Sequence, residues 1–321
     1  MTSPAAAIQV DALTYYHQTA TTVAPTPALL DVTLDLPPAS RTILVGANGA
    51  GKSTLLQILA GKRLIAVGSS PIVLGKDVFR NSPEGVTFLG TEWAMNPVVR
   101  SDITVSAFLD SVGGYRHKER RDILLDILDV DLDWRMHQIS DGERRRVQLT
   151  FGLMSDWAVL LLDEARGTLS FLYDFRLTKI AQVTVDLDVL VRDDLLTFLK
   201  NESETRGATI LCAIFATVAV LLSLFTHGPG ELSDATHIFD GLNNFPTHVA
   251  HMRFGSFVKE PTAWPFSDGK TLYSVALNWL AEDRQYRKKL EAEGRKTRGA
   301  RRDQVVPTDS EVFYRKYDYS H

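Results

Sequence analysis

One run of residues has the spacing of a phosphate-binding loop. Gly46–Ser53 fits G-x-x-x-x-G-K-[ST] at every position, and it lies between an apolar segment that ends at Val45 and a segment of helical character that starts at Ser53. Glycines let backbone N–H groups turn toward an anion, and a helix start adds partial positive charge. We therefore predict a site for the phosphates of ATP. Its residues are Gly46, Asn48, Gly49, Ala50, Gly51, Lys52, Ser53 and Thr54.

A second group of candidates follows a wholly apolar run, Ala158–Leu162. Such a run is typical of a strand buried on both faces, and ligands bind at the carboxyl ends of such strands. Asp163 is predicted to hold Mg²⁺, with the Ser53 hydroxyl as a further ligand, and Glu164 to polarise the attacking water as general base. Lys52 can reach the β- and γ-phosphates. The two motifs together predict hydrolysis of ATP, with ATP and Mg²⁺ as cofactors.

The segments that carry these motifs indicate an α/β fold. Ile8–Val10 and Leu30–Leu36 alternate apolar and polar residues, as partly exposed strands do, and Arg41–Val45 is predicted to be the strand before the loop. Strands alternate with helical segments along the chain, which favours a largely parallel sheet layered with helices. The predicted class is a P-loop nucleoside triphosphatase with a mixed sheet core.

The composition excludes several other classes. The chain has 321 residues, a net charge of −4 and one cysteine, Cys212. A single cysteine excludes a disulfide scaffold and a cysteine-based zinc site, and the net charge argues against a general binder of polyanions. The stretch Gly207–Thr226 has no charged residue. We interpret its first part as a core strand and expect no membrane span, because a span would leave strand backbone groups unpaired.

Between the two motifs lies Ile139–Leu149, which resembles the signature motif of ATP-binding cassette (ABC) proteins, L-S-G-G-Q followed by basic residues. The resemblance implies that Ser140 and Gly142 meet the γ-phosphate on a second ATPase domain. Asp141 and Glu143 depart from the motif, and an added carboxylate near a triphosphate is unfavourable. An ordinary helix N-cap, with Ser140 bonded to Glu143, is an alternative that is compatible with the first.

More specifically, the chain is similar to the soluble fungal ABC ATPases that are associated with the CCR–NOT complex. The resemblance covers about Ile8–Val258 and is carried by Leu44–Leu56, Leu89–Trp93, Trp134–His137, Ser140–Gly142, Val183–Asp188 and Thr236–Leu242. It implies an ABC domain over residues 5–258 with a helical subdomain at about 92–157. It also implies a nucleotide-driven homodimer, CCR–NOT subunits as partners, no membrane domain on the chain, and a cytoplasmic and nuclear location.

The resemblance also assigns residues outside the two motifs. Glu92 falls at the Q-loop position, where most ABC ATPases have glutamine, and it is implied to accept a water bound to Mg²⁺. Asp188 matches the D-loop aspartate that touches the partner subunit, and His237 matches the switch histidine that contacts the γ-phosphate. The aromatic residue that stacks on adenine is Tyr15 or His17, and the sequence leaves both open.

Two segments interrupt this pattern at active-site junctions. Ala165–Gln182 separates Glu164 from the D-loop, and Ile214–Ala235 separates the strand of Cys212 from His237. We interpret both as translated introns. If codons 212 and 234 are split at the splice sites, joining them gives one tyrosine and restores Ile-Leu-Tyr-Ala-Thr-His-Ile-Phe-Asp. Genuine loops of this lineage are the alternative.

The C-terminal part, residues 259–321, is predicted to be an extension, helical at first and then a basic tail. Arg284–Arg302 holds nine basic residues against two acidic ones. Such runs are usually solvated, so we expect nucleic-acid binding only if this tail provides it. Three functions remain: a regulatory ATPase dimer, the ATP-binding subunit of a transporter with a separate membrane chain, and a nucleotide-binding scaffold with impaired hydrolysis.

Overall fold

The computed structural model describes residues 6–17, 26–65, 70–90, 93, 96–163, 185–215, 242–267 and 269–294. Contacts divide the chain into two compact units, Met1–Leu280 and Ala281–His321. The strands are β1 (Ile8–Tyr15), β2 (Leu29–Leu36), β3 (Arg41–Gly46), β4 (Ile72–Val73), β5 (Lys76–Asp77), β6 (Val86–Leu89), β7 (Val159–Asp163), β8 (Thr209–Phe215), β9 (His248–Arg253) and β10 (Ser256–Ala263). The α-helices are α1 (Lys52–Leu59), α2 (Val105–Ser111), α3 (Lys118–Ile127), α4 (Asp141–Met154), α5 (Val185–Arg206) and α6 (Leu272–Ala292).

Within the described residues the strands form two sheets. The larger has the order β10-β9-β3-β8-β7-β6, parallel except for the β9–β10 hairpin. The smaller has the order β2-β1-β4-β5 and is antiparallel. This mixed α/β arrangement confirms the predicted fold class.

The central strands β3 and β7 are buried at every residue. Their alternate side chains feed two separate apolar clusters: Ile43 and Leu160 join the cluster that includes α2, α3 and α4, whereas Leu44 and Leu161 join the one that includes α1 and the smaller sheet. A strand with apolar layers on both faces has no polar positions, which is why its sequence is continuously apolar. The carboxyl ends of β3 and β7 are therefore rigidly placed.

The segment predicted as the helical subdomain contains α2, α3 and α4 and two short 3₁₀ helices, Pro97–Arg100 and Gly114–His117. A partly buried ion pair joins it to α5. Arg120 donates to both carboxylate oxygens of Glu202, at 2.8 and 2.7 Å, and to the carbonyl of Leu153 at 2.7 Å. Arg206 donates to the same carboxylate at 2.8 Å. This network fixes α3 against the body of the chain.

The sheet continues past the predicted domain boundary at residue 258. Strand β10 runs to Ala263, and the compact unit that holds the sheet extends to Leu280. Trp279 of α6 stacks on the ring of His251 in β9 at 5.0 Å. No sequence pattern indicated this, because the register that pairs β10 with β9 depends on partners that a single sequence does not reveal.

Strand β8 agrees with one expectation and departs from another. Ile210, Leu211 and Ala213 are buried core residues, as predicted. The strand also includes Ile214 and Phe215, two residues into the segment predicted to be an insertion, where Phe215 pairs with Gly46. Among the helices of the described residues, none combines the length and apolar character that crossing a bilayer requires.

Candidate nucleotide-binding site

The predicted phosphate loop begins at the buried end of β3 and leads directly into α1. Lys52, the first residue of the helix, is 2% exposed. Its ammonium donates to the backbone carbonyls of Gly46 at 2.7 Å and Ala47 at 3.1 Å. The lysine is thus folded back over its own loop, where a compact positive charge is placed for a phosphate group.

The loop leaves backbone donors for an anion. Gly51 caps α1 with a φ of 100° and supplies no side-chain hydrogen bond, and the first turn of the helix holds no acidic residue. Asn48 and Gly49 are exposed at the surface of the loop, whereas Ala50 is buried. N–H groups of a first helical turn that no side chain caps bind anions readily.

Neighbouring backbone atoms leave no room for a side chain at two of the loop glycines. A Cβ on Gly46 would lie 2.3 Å from the carbonyl oxygen of Met252, and one on Gly51 would lie 2.9 Å from that of Ala28. The turn between β9 and β10 holds the loop from the same side, because the Gly255 N–H donates to the carbonyl of Ala50 at 2.9 Å. This support was not predicted from the sequence, although the glycine at position 255 is a residue type that is common in turns.

Ser53 and Asp163, the residues predicted to hold Mg²⁺, are in contact. The Ser53 hydroxyl donates to Oδ1 of Asp163 at 2.9 Å, and Asp163 is 3% exposed at the end of β7. Mg²⁺ favours hard oxygen ligands and takes only one or two from the protein, with water and substrate phosphates completing its shell. The hydroxyl and carboxylate oxygens fit this ion. When bound there, Mg²⁺ would neutralise charge on the β- and γ-phosphate oxygens.

The predicted signature segment starts helix α4 with a capping box. The Ser140 N–H and hydroxyl both donate to Oε2 of Glu143 at 2.8 Å, and the Glu143 N–H donates to the Ser140 hydroxyl at 3.2 Å. Asp141 is 87% exposed and contacts Arg144 at 2.5 Å and Arg100 at 3.9 Å. The helix-cap alternative is therefore present, and Gly142 lies in the first turn of α4.

Helix α4 also forms hydrogen bonds to the residue that follows β6, just before the predicted Q-loop. Gln148 donates through Nε2 to the carbonyl of Gly90 at 2.8 Å, and Arg145 donates to that carbonyl at 3.3 Å and to Gln148. Both side chains are buried. This contact was not predicted, because the basic run after the signature gave no reason to place one arginine inside.

The remaining predicted residues fall in three groups. Glu92, Glu164 and His237 lie outside the described residues. Asp188 lies in α5, and its side chain is not among those described. Tyr15 and His17 are both described, with ring centroids 5.4 Å apart in an edge-to-face arrangement, and Thr54 follows Ser53 in the first turn of α1.

A buried parallel strand, a glycine loop, a folded-back lysine and a serine–aspartate pair define a P-loop nucleoside triphosphatase fold. A family model described as ABC transporter matches residues 29–167. The chain is 39% identical over 268 residues to CCR4-associated factor 16 of Saccharomyces cerevisiae, covering 78% of this chain and 77% of the yeast protein. The chain belongs to the ABC family.

Other relatives carry transporter names. ABC transporter I family member 21 of Arabidopsis thaliana is 37% identical over 275 residues, which covers 82% of this chain and 83% of the plant protein. The sulfate/thiosulfate import ATP-binding protein CysA of Nocardia farcinica is 33% identical over 193 residues, 57% of this chain and 52% of that protein.

Solved structures share the fold. An ATP-binding subunit of an ABC transporter aligns with a TM-score of 0.57 at 17% identity, over 85% of this chain and 98% of that one. A dimeric post-hydrolysis cassette bound to ADP and phosphate aligns with a TM-score of 0.55 at 14% identity, over 81% of this chain and 99% of that one. At these identities the likeness establishes the fold and nothing finer.

Proposed function

We propose that this protein binds and hydrolyses Mg·ATP as a nucleotide-gated homodimer with a regulatory role, and that full turnover requires a form without the two interrupting segments. The observation that carries the proposal is that the residues predicted to bind the phosphates and Mg²⁺ lie together. We call these residues the binding half of the site. Lys52 lies over the loop carbonyls, and the Ser53 hydroxyl contacts Asp163 at 2.9 Å. In a dimer each chain would supply this half to its own nucleotide and would offer Ser140 and Gly142 to the nucleotide of its partner.

The regulatory part rests on the yeast relative, whose name associates it with CCR4. By this proposal the dimer closes with ATP and opens after hydrolysis, so that a surface for CCR–NOT subunits is offered in one state only. Such a protein would work in the cytoplasm and the nucleus. The second candidate is an ATP-binding subunit that docks on a separate membrane chain, which the names of the plant and Nocardia relatives favour.

One experiment separates these functions. The tagged chain is purified from its own cells with Mg·ATP and with Mg·ADP, and the co-purified proteins are identified. The proposal expects CCR–NOT subunits whose recovery changes with the nucleotide. A polytopic membrane protein recovered in their place would favour the transporter subunit and overturn the regulatory role.

We also propose that the segments 165–182 and 214–235 come from unspliced introns. The register of β8 supports this for the second segment. Phe215 pairs with Gly46, and in the spliced sequence His237 takes the place of Phe215, three residues after the joined tyrosine. The switch histidine would then lie opposite the first glycine of the phosphate loop. Removal of 165–182 would likewise bring Asp188 within reach of Glu164 along the chain.

Reverse-transcription PCR across the two junctions tests the splicing proposal. We expect a product without Ala165–Gln182 and with one tyrosine codon in place of Cys212–Asp234. If all of the messenger RNA contains both segments, the intron interpretation is wrong. That result would also favour the third function, a nucleotide-binding scaffold with impaired hydrolysis.

A further inference from the structure

The signature segment commits its serine hydroxyl to its own helix. The Ser140 hydroxyl donates to Oε2 of Glu143 at 2.8 Å, and it accepts from the Glu143 N–H at 3.2 Å. A hydroxyl group has one proton to donate. In this structure that proton is held by a carboxylate of the same chain, although Ser140 itself is exposed.

The two carboxylates at this helix start differ in their surroundings. Asp141 contacts Arg144 at 2.5 Å and Arg100 at 3.9 Å, so its charge is compensated. Glu143 has no ion pair among the described residues, and its described hydrogen bonds are those with Ser140. The uncompensated negative charge at the signature is therefore that of Glu143.

We propose that Glu143 restrains the signature motif from binding the nucleotide of a partner chain, a role that we call the gate. The inference rests on the proposed dimer, in which the Ser140 hydroxyl donates to the γ-phosphate of the partner's nucleotide. That donation requires the hydroxyl to leave the carboxylate, because one proton cannot serve two anions. The carboxylate then remains beside the phosphate oxygens, where two negative charges repel strongly in a partly dry interface.

The gate makes closure of the dimer weaker than the rest of the site would allow. A glutamine at position 143 would still accept a hydrogen bond from the Ser140 N–H, so the helix cap would keep its shape. It would carry no charge and would hold the hydroxyl less firmly. Glu143→Gln therefore separates the gating role of this residue from its capping role.

Sedimentation velocity on the full 321-residue chain with Mg²⁺ and adenylyl imidodiphosphate tests the gate. The chains compared are the wild type, Glu143→Gln, Ser140→Ala, the double variant, and Glu119→Gln as a matched control in the first turn of α3. Glu143→Gln is expected to tighten the dimer at least about ten-fold. Glu119→Gln should stay within about two-fold of wild type. In the Ser140→Ala background the Glu143→Gln gain should be smaller, because only the charge repulsion is then left to relieve.

Three results would overturn the gate. If Glu143→Gln dimerises no more tightly than the wild type, Glu143 does not weaken the dimer. If Glu143→Gln tightens the dimer equally in the wild-type and Ser140→Ala backgrounds, competition for the Ser140 hydroxyl is excluded. Nucleotide affinity of the dilute chains is measured alongside, since it reports the phosphate loop of each chain alone. If every chain binds the nucleotide and none dimerises, the proposed dimer fails and the gate fails with it.

Discussion

The binding half and the hydrolytic half of this site differ in how the chain builds them. The binding half comes from one continuous segment, Gly46–Thr54, and from Asp163. The predicted hydrolytic half draws on Glu164, Asp188 and His237, each of which lies within six residues of one of the two interrupting segments. We therefore expect ATP affinity and ATP turnover to be separable, because the two segments interrupt the chain next to the predicted hydrolytic residues and not within the phosphate loop.

The largest expected effect in the binding half is on Lys52. Lys52→Ala should weaken Mg·ATP binding about 100-fold, since hydrogen bonds to charged groups contribute about 1.5–3 kcal/mol and the ammonium has no substitute at that point of the loop. Isothermal titration calorimetry measures the affinity. The exposed Lys76, replaced by alanine, is the control. An affinity of Lys52→Ala within three-fold of the Lys76→Ala value would refute the loop assignment.

Asp163→Asn is expected to act only through the metal. With Mg²⁺ present the affinity for ATP should fall about 30-fold, because the carboxylate that accepts from Ser53 also fits the ion. In EDTA the variant and the wild type should bind alike. Titrations with and without Mg²⁺ provide this comparison, and an equal loss in both would assign Asp163 a purely structural role.

Two glycines of the loop should differ in their effect on stability. A Cβ on Gly46 would meet the Met252 carbonyl at 2.3 Å, so Gly46→Ala should lower the free energy of unfolding by about 3 kcal/mol. Gly49 has a φ of 80°, and a Cβ there would meet no other atom within 4 Å, so Gly49→Ala should cost about 1 kcal/mol. Urea denaturation of both variants checks the order, and an equal loss would show that backbone packing does not support the loop.

The smallest effect is expected in the hydrolytic half. Glu164→Gln in the 321-residue chain should change turnover by less than about three-fold, whereas loss of a working general base costs about 10²–10⁴-fold. Single-turnover hydrolysis with radiolabelled ATP measures it. A loss of 100-fold would mean that Glu164 already acts as the base beside residues 165–182.

Local features of the sequence were enough to predict the strands that lead into the phosphate loop and to Asp163. The apolar runs that became β3 and β7 need only their own composition, and the loop motif fixes its glycines and Lys52 by spacing. The Ser140–Glu143 cap was also visible as a three-residue spacing. Contacts between distant segments were not visible in the sequence. The approach of Met252 to Gly46 depends on sheet register, and the hydrogen bond from Gln148 to Gly90 depends on helix packing.

Helix packing also limited what could be predicted for α4. Within the basic run that follows the signature motif, Arg144 and Arg145 are buried and donate to backbone carbonyls. A charged side chain is buried when backbone acceptors are available to it, and a single sequence does not reveal where those acceptors lie. The predicted domain boundary at residue 258 falls inside β10, because the register that pairs β10 with β9 is likewise not visible in a single sequence.

The most direct test compares the chain with its spliced form. The second form lacks Ala165–Gln182 and has one tyrosine in place of Cys212–Asp234. Both are assayed for ATP affinity and single-turnover hydrolysis. Equal affinity with turnover about 100-fold faster in the spliced form is expected, since general base catalysis is then restored. Equal turnover in the two forms would contradict the separation of binding from hydrolysis.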